Sequence, residues 1–287
     1  MKVLLFGSDG QLGWELQRTC PDTIEIVTCD YPNVDFCSAH TIEKCINATL
    51  PDCIINAAAY TAVDKAEQET DLAYRINHDA VLEIAERCKK NNIFMVQIST
   101  DFVFNGRNFK PYKPYDTPSP ESVYGKSKRE GETAVLDILN DKALLIRTAW
   151  LYSSHGNNFV KTMIHLMKER ETLTVIDEQI GTPTWALGLA HAIWNSIEKK
   201  ITGIFHWTDA GVASWYDFAM AIQEDGLAAG LLEKSIPILP VTAKQFPTLA
   251  KRPYYSVLDK TSFLQATGLK PLHWRVQLRS MLAELVR

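Results

Sequence analysis

No apolar run in this chain approaches the roughly 20 residues of a bilayer-spanning helix. Positive charge is not in excess: 30 Lys and Arg stand against 34 Asp and Glu, a formal net charge of −4. That balance gives no reason to expect a nucleic acid or an anionic membrane surface as partner. None of the six cysteines falls in a CxxC pair, all lie between Cys20 and Cys88, and the seven histidines are scattered. A zinc site is therefore not expected, and reduced thiols are expected rather than disulfides. Internal repeats and low-complexity tracts are missing. Met1-Lys2 runs straight into an apolar stretch, which predicts no signal peptide and a cytoplasmic protein. What is abundant is apolar surface. Hydrophobic residues make up 46% of the 287, enough for a large core in one domain or two unequal lobes.

Lys2–Phe6 reads as a short buried strand, followed by Gly7-Ser8-Asp9-Gly10-Gln11-Leu12-Gly13 and a helical pattern over Trp14–Thr19. Gly7 permits a tight turn, Gly10 lets backbone approach a pyrophosphate, and Gly13 lets the helix pack close to the strand. The helix N-terminus then offers free N–H groups to the phosphates. The spacing is one residue off the usual dinucleotide fingerprint, and an ordinary glycine turn is the plain alternative. A second strand over Ile24–Cys29 ends at Asp30, placed either to accept hydrogen bonds from adenosine ribose hydroxyls or simply to end the strand in a turn. No arginine follows to meet a 2′-phosphate, so the local pattern leans toward NAD(H). Asp35 and Phe36 close the next loop, Phe36 serving either as a cover for adenine or as core. Ser38 suits the N-cap of a helix through Asn47.

Asp52–Asn56 is a third strand. Ala57-Ala58-Ala59 follows, with small side chains where backbone must lie near a ligand, and a helix starts within Tyr60–Glu67. Asn77–Lys90 is amphipathic at helical spacing, and Ile93–Ile98 is a fourth strand. Ser99-Thr100-Asp101 sits at its C-terminal end, where doubly wound sheets place ligands. The Pro-, Lys- and Tyr-rich loop 105–120 is expected over the mouth of that site. Ala143–Arg147 is a fifth strand. This alternation predicts an α/β fold, a Rossmann-type doubly wound parallel sheet.

Beyond Trp150 the pattern loosens. Asn157–Arg170 is helical, Leu173–Ile176 a strand, and Gly181–Thr184 a turn before a helix through Lys199. Gly203–Trp207 suits a sixth strand of the same sheet, Ser214–Gly226 and Trp274–Val286 are helical, and prolines punctuate an irregular segment from Pro237 to Pro253. The expected division is a dinucleotide-binding domain of residues 1–148 plus about 184–207, and a smaller C-terminal α/β substrate-binding lobe of about 149–183 plus 208–287.

Val123-Tyr124-Gly125-Lys126-Ser127-Lys128 carries a tyrosine and a lysine four residues apart, one turn apart on one helix face. A phenol titrates near pH 10, and an ammonium beside it favours the phenolate. Such a pair is suited to exchanging a proton with a carbonyl oxygen. A chance pairing on a helix surface is the bland alternative, and the upstream glycine loop and Thr100 count against it.

Assembled, these stretches resemble the extended short-chain dehydrogenase/reductases that act on nucleotide sugars, and within them the dTDP-4-dehydrorhamnose reductase family. The likeness is carried by Gly7–Gln17, Asn56–Glu67, STDFVF at Ser99–Phe104, VYGKSK at Val123–Lys128, RTAWLY at Arg147–Tyr152, NNFVKTM at Asn157–Met163 and QIGTPT at Gln179–Thr184. The C-terminal third matches chiefly through Arg252-Pro253 and Ser256–Asp259. The resemblance implies reduction of a dTDP-linked 4-keto-6-deoxy sugar by NADPH or NADH. Tyr124 would be the proton donor, Lys128 would lower its pKa and bind the nicotinamide ribose, and Thr100 would hydrogen-bond the substrate oxygen. It also implies a cofactor surface made by Gly7, Gly10, Gln11, Leu12 and Gly13, by Asp30, Asp35 and Phe36, and by Ala58, Ala59, Tyr60, Thr61 and Ser99. Asp101, Trp150, Asn158 and Arg252 would join Thr100 at the sugar nucleotide.

Two departures from the family pattern matter. Phe102 replaces a tyrosine found in many members. Some members hold magnesium between subunits through several carboxylates; Glu15 is present here, but Trp185–Ala192 contains no acid, so no metal is expected. A homodimer is the assembly the resemblance leaves open. The rivals are a nucleotide-sugar epimerase or dehydratase on the same fold, and a non-catalytic NADP-binding subunit like methionine adenosyltransferase β. A dehydratase needs an Asp-Glu pair after the threonine, and Phe102 breaks it.

Overall fold

The computed structural model describes residues 1–286. Five strands, β1 (Lys2–Phe6), β2 (Glu25–Thr28), β3 (Cys53–Asn56), β4 (Phe94–Thr100) and β5 (Ala143–Thr148), form one parallel sheet with an edge strand, Gly203–His206. The order is edge strand, β5, β4, β3, β1, β2, with every pair parallel. The fold is thus the Rossmann-like, doubly wound α/β arrangement. Parallel strands are covered on both faces and so read as continuous apolar runs. Alternation along β1 divides the two cores. Val3 and Leu5 pack with Ile55, Val96, Ile146 and Ile193 on one face. Leu4 and Phe6 pack with Ile54, Ile84, Met95 and Val135 on the other.

A separate apolar cluster lies in the C-terminal part, where Tyr152, Val160, Phe218, Ile222, Trp274 and Leu278 meet. Beside it Leu173–Ile176 pairs in parallel with Ile238–Val241, a strand absent from the sequence reading. Pro240 is tolerated there because a two-stranded ribbon asks for few ladder bonds. The helix Thr261–Thr267 was also not anticipated; its Phe263 packs into the sheet-side core.

Other expectations shift. The helix expected at Asn77 starts at Thr70, passes through a π-helical turn at Arg75–Asp79 and continues as Ala80–Asn91. Such turns are frequent at functional sites. Here Asn77 accepts from Tyr60 N (2.9 Å) and donates to Tyr60 O (3.1 Å) and Ser127 Oγ (3.0 Å). Ser38 stands at the N-cap of α2 (Ala39–Thr49), but its side chain makes no capping bond. Cys29 and Cys45 form a disulfide, against the expectation of six reduced thiols, because α2 packs its Cys45 face against the end of β2; Cys20, Cys37, Cys53 and Cys88 are free. Among the described residues no helix is long and apolar enough to cross a membrane.

Candidate active site

The chain runs from β1 to β2 on one side and returns to β3 on the other, so the sheet order reverses between β1 and β3. Ligand crevices form at such switch points. The C-terminal strand ends open there onto a cavity of about 820 Å³, within the range of small-molecule sites. The glycine loop forms one end of it. Gly7 has φ +83°, a conformation that disfavours side chains, and a Cβ on Gly13 would stand 2.0 Å from Gly7 O. Helix α1 (Gln11–Arg18) follows Gly10 with no side-chain cap, so its first N–H groups remain open to a ligand. This cradle fits a dinucleotide pyrophosphate.

Asp30 is engaged with the glycine loop itself. Its carboxylate accepts Gly7 N at 2.7 Å and Ser8 N at 2.6 Å, and Ser8 Oγ also donates to it. It anchors the loop and is not among the residues lining the cavity. Asp35 is likewise turned to a local bond, accepting Cys37 N at 2.8 Å, and Tyr60 gives its hydroxyl to Glu69; neither lines the cavity. The other expected residues do line it: Gly7, Gly10, Gln11, Leu12, Gly13, Phe36, Ala58, Ala59, Thr61 and Ser99 on the cofactor side, then Thr100, Asp101, Tyr124, Lys128, Trp150, Asn158 and Arg252.

The helix Val123–Leu139 starts at Ser122, whose hydroxyl accepts Gly125 N at 3.1 Å. It approaches the turn after β4 backbone to backbone: a Cβ on Gly125 would sit 2.3 Å from Phe102 O. A glycine between Tyr124 and Lys128 is therefore what brings both beside Thr100. Lys128 Nζ donates to Ile98 O at 2.7 Å. Burial pulls the ammonium down to about 8, with Glu132 opposing. Burial also holds the Tyr124 phenol up, at about 12, with Thr100 opposing and Asp101 adding. That direction is opposite to the one expected from the Tyr–Lys spacing, because the spacing reports a shared helix face and not the dry surroundings. A neutral phenol is still the form that gives a proton.

Three buried oxygen atoms beneath the cavity have no hydrogen-bond partner among the described residues: Ser99 Oγ, Asp101 Oδ2 and Thr148 Oγ1. They sit on adjacent strand ends, with Thr100 and Thr148 in register. Unpaired buried oxygens are costly unless a ligand or water meets them. The far wall comes from the C-terminal part. Trp150, at φ +47°, stacks on Trp215 with ring centroids 3.5 Å apart, and a Cβ on Gly181 would stand 2.5 Å from the Trp150 ring. Asn158 donates to Gln11 Oε1 at 3.1 Å, tying this wall to the glycine loop. Arg252 Nη2 donates to Asp64 Oδ2 at 2.6 Å.

Trp215, Gln179, Gly156 and Asn157 line the cavity without having been anticipated. Gln179 and Asn157 lay inside quoted motifs; nothing local marks Trp215. The loop 105–120 does not line it. Its Tyr112 stacks on Phe104, and Pro114 O accepts from Arg147 at 2.8 Å, so the loop is bound to the sheet's outer edge. Glu15 is buried and accepts Ser153 Oγ at 2.8 Å, Trp185 Nε1 at 3.2 Å and Arg18 Nε, while Arg18 also pairs with Glu284. Among the described residues no His, Cys, Asp and Glu side chains are grouped to hold a metal ion.

Comparison with known proteins places this geometry. The family model described as RmlD substrate binding domain matches residues 1–287. The dTDP-4-dehydrorhamnose reductase of Aggregatibacter actinomycetemcomitans is 39% identical, over 98% of each chain. A crystal structure of a dTDP-4-dehydrorhamnose reductase from Clostridium acetobutylicum is similar at TM-score 0.94 and 39% identity, over 100% of both chains. One from Bacillus anthracis in complex with NADP gives TM-score 0.92 and 35% identity over 99% of each.

Proposed function

The chain belongs to the RmlD substrate binding domain family, and from that premise we propose that it reduces dTDP-4-dehydro-L-rhamnose to dTDP-L-rhamnose. NADPH or NADH, when bound, supplies the hydride that reaches C4 of the sugar. Gly7, Gly10 and Gly13 present backbone to the pyrophosphate, and Phe36, Ala58, Ala59 and Thr61 line the way to it. Tyr124 gives its hydroxyl proton to the ketone oxygen as that oxygen gathers charge. The phenolate left behind is stabilised by the Lys128 ammonium, and Thr100 orients the ketone. The wall of Trp150 and Trp215 excludes water, and Arg252 meets the diphosphate. Residues 1–148 with about 184–207 form the cofactor-binding unit, and 149–183 with 208–287 the sugar-binding lobe. A cytoplasmic location and a homodimer complete the reading; cell fractionation and light scattering check them.

The carrying observation is the convergence of Thr100, Tyr124 and Lys128 in the same cavity as the glycine loop. The test is loss of NADPH absorbance on adding the 4-keto sugar nucleotide, with the product identified by NMR. Oxidised cofactor and dTDP-L-rhamnose are expected. Folded, cofactor-saturated protein that leaves the ketone intact would favour the non-catalytic binding subunit. An epimerase would instead release an epimer without consuming NADPH.

A further inference from the structure

A threonine hydroxyl has one proton to give. In this structure Thr100 gives it to Asp101: Oγ1 donates to Asp101 Oδ1 at 3.1 Å, while Oγ1 itself accepts Phe102 N at 3.2 Å. While that bond stands, Thr100 cannot also donate to a ketone. Asp101 is 2% exposed, and its second oxygen has no hydrogen-bond partner. A carboxylate left half-paired in a dry pocket is costly, whereas a neutral carboxyl has a proton of its own to donate.

We propose that Asp101 is a positioning residue whose protonation decides which way the Thr100 hydroxyl points: neutral, it donates to Thr100 Oγ1 and releases the threonine proton toward the sugar ketone; ionised, it takes that proton for itself. The proposal rests on the reductase reading above. It assigns Asp101 a role through Thr100, beyond simple contact with the sugar. Burial pushes the Asp101 carboxyl up to about 6, with Ser256 and Thr100 opposing. The neutral form is therefore populated on the acid side of neutrality and is lost as pH rises. The groups facing it are Tyr124 from the Val123–Leu139 helix, held neutral, and Ser256 from the C-terminal segment, whose side chain favours the carboxylate without meeting hydrogen-bond geometry at Oδ2. The cations lining the same cavity are engaged elsewhere, Lys128 with Ile98 O and Arg252 with Asp64, and Asp9 lies on the glycine loop.

The experiment is the pH profile of kcat/KM for the sugar nucleotide at saturating NADPH, in the wild-type enzyme, D101N, D101A and T100V. In the wild type the value should fall about tenfold per pH unit above the Asp101 titration, as expected for loss of one required proton. In D101N the amide donates to Thr100 at every pH, and in D101A no acceptor competes for the threonine proton. Both should lose that limb while keeping the separate Lys128 limb at higher pH. T100V should be slow throughout. Persistence of the lower limb in both Asp101 variants would overturn the proposal, as would a D101A enzyme as slow as T100V at every pH. A turnover-free arm separates this from failure of the reductase reading. Infrared difference spectra of the NADPH-bound protein should show a protonated-carboxyl band that titrates and is absent from D101N. With no such band at any pH, Asp101 is not the switch, whatever the enzyme turns over.

Discussion

The two ends of the cavity are made of different material. The cofactor end is mostly backbone: Gly7, Gly10 and Gly13 within one loop, three consecutive alanines after β3, and the uncapped start of α1. The other end, proposed above for the sugar, is made of single side chains far apart in sequence, Trp150, Gln179, Trp215 and Arg252. Backbone surfaces recognise a phosphate or a flat ring by close approach, and each needs small residues at fixed local spacing. Side-chain walls recognise a sugar by shape and need distant segments to arrive together. Substitutions should therefore separate cleanly, the first end controlling dinucleotide affinity, the second sugar KM, and the Thr100–Tyr124–Lys128 cluster between them controlling turnover.

The largest effect belongs to the middle. Tyr124→Phe removes the proposed proton donor and should lower kcat about 10³-fold, while dinucleotide affinity, by fluorescence titration, stays within about threefold. Near-normal turnover would take the proton from another group. Held at about 12, the phenol stays protonated through neutral pH, so no alkaline limb near neutrality should be traceable to it.

Gly13→Ala comes next. A Cβ there collides with backbone, Gly7 O at 2.0 Å and Ser8 Cα at 2.6 Å, and neither can swing aside. Overpacking of this kind costs about 1–3 kcal/mol, so dinucleotide binding should weaken about 10- to 100-fold. Calorimetric titration checks it, and sugar KM at saturating NADPH should hold. Gly181→Ala is the mirror test. The three atoms nearest its Cβ all belong to the Trp150 ring, which can tilt at the expense of its stack on Trp215. Sugar KM should rise about tenfold with dinucleotide affinity unchanged. If Gly181→Ala weakened NADPH instead, the two ends would not be separable.

The same difference explains what could be read from the chain. The glycine loop and the Tyr124–Lys128 pair were legible because each lies within one turn or loop, where spacing alone fixes geometry. The main-sheet strands were legible because parallel strands buried on both faces are short apolar runs. Trp215 was not, because its partners Trp150 and Phe159 come from other segments and meet it only in the folded packing. Asp30 is legible as the acid that ends β2, but its use is not: a carboxylate there can face a ribose or turn back to the loop N–H groups, and sequence does not choose. The phenol's titration failed for a related reason, since desolvation depends on everything packed around Tyr124 and not on Lys128 alone.

The smallest expected effect tests whether the two ends communicate. Asp64 stands in the TAVDKAE stretch after β3 and holds Arg252 by Oδ2, at 2.6 Å, while Oδ1 accepts Ala250 N at 3.0 Å. The pair thus ties the segment carrying Arg252 to the sheet side of the cavity. Its side chains are 26% and 39% exposed, so water screens the attraction and its worth is about 0–1 kcal/mol. Asp64→Asn keeps an acceptor for Ala250 N and loses only the charge, and sugar KM should rise about twofold to fivefold. Added salt should shrink that difference, because an exposed pair is screened within about 10 Å at 0.1 M. In a cycle with Arg252→Ala the Asp64→Asn effect should vanish, since the residue it aims is gone. If Asp64→Asn still raised KM without Arg252, the carboxylate would be acting on the loop backbone alone, and Arg252 would be positioned by its own segment.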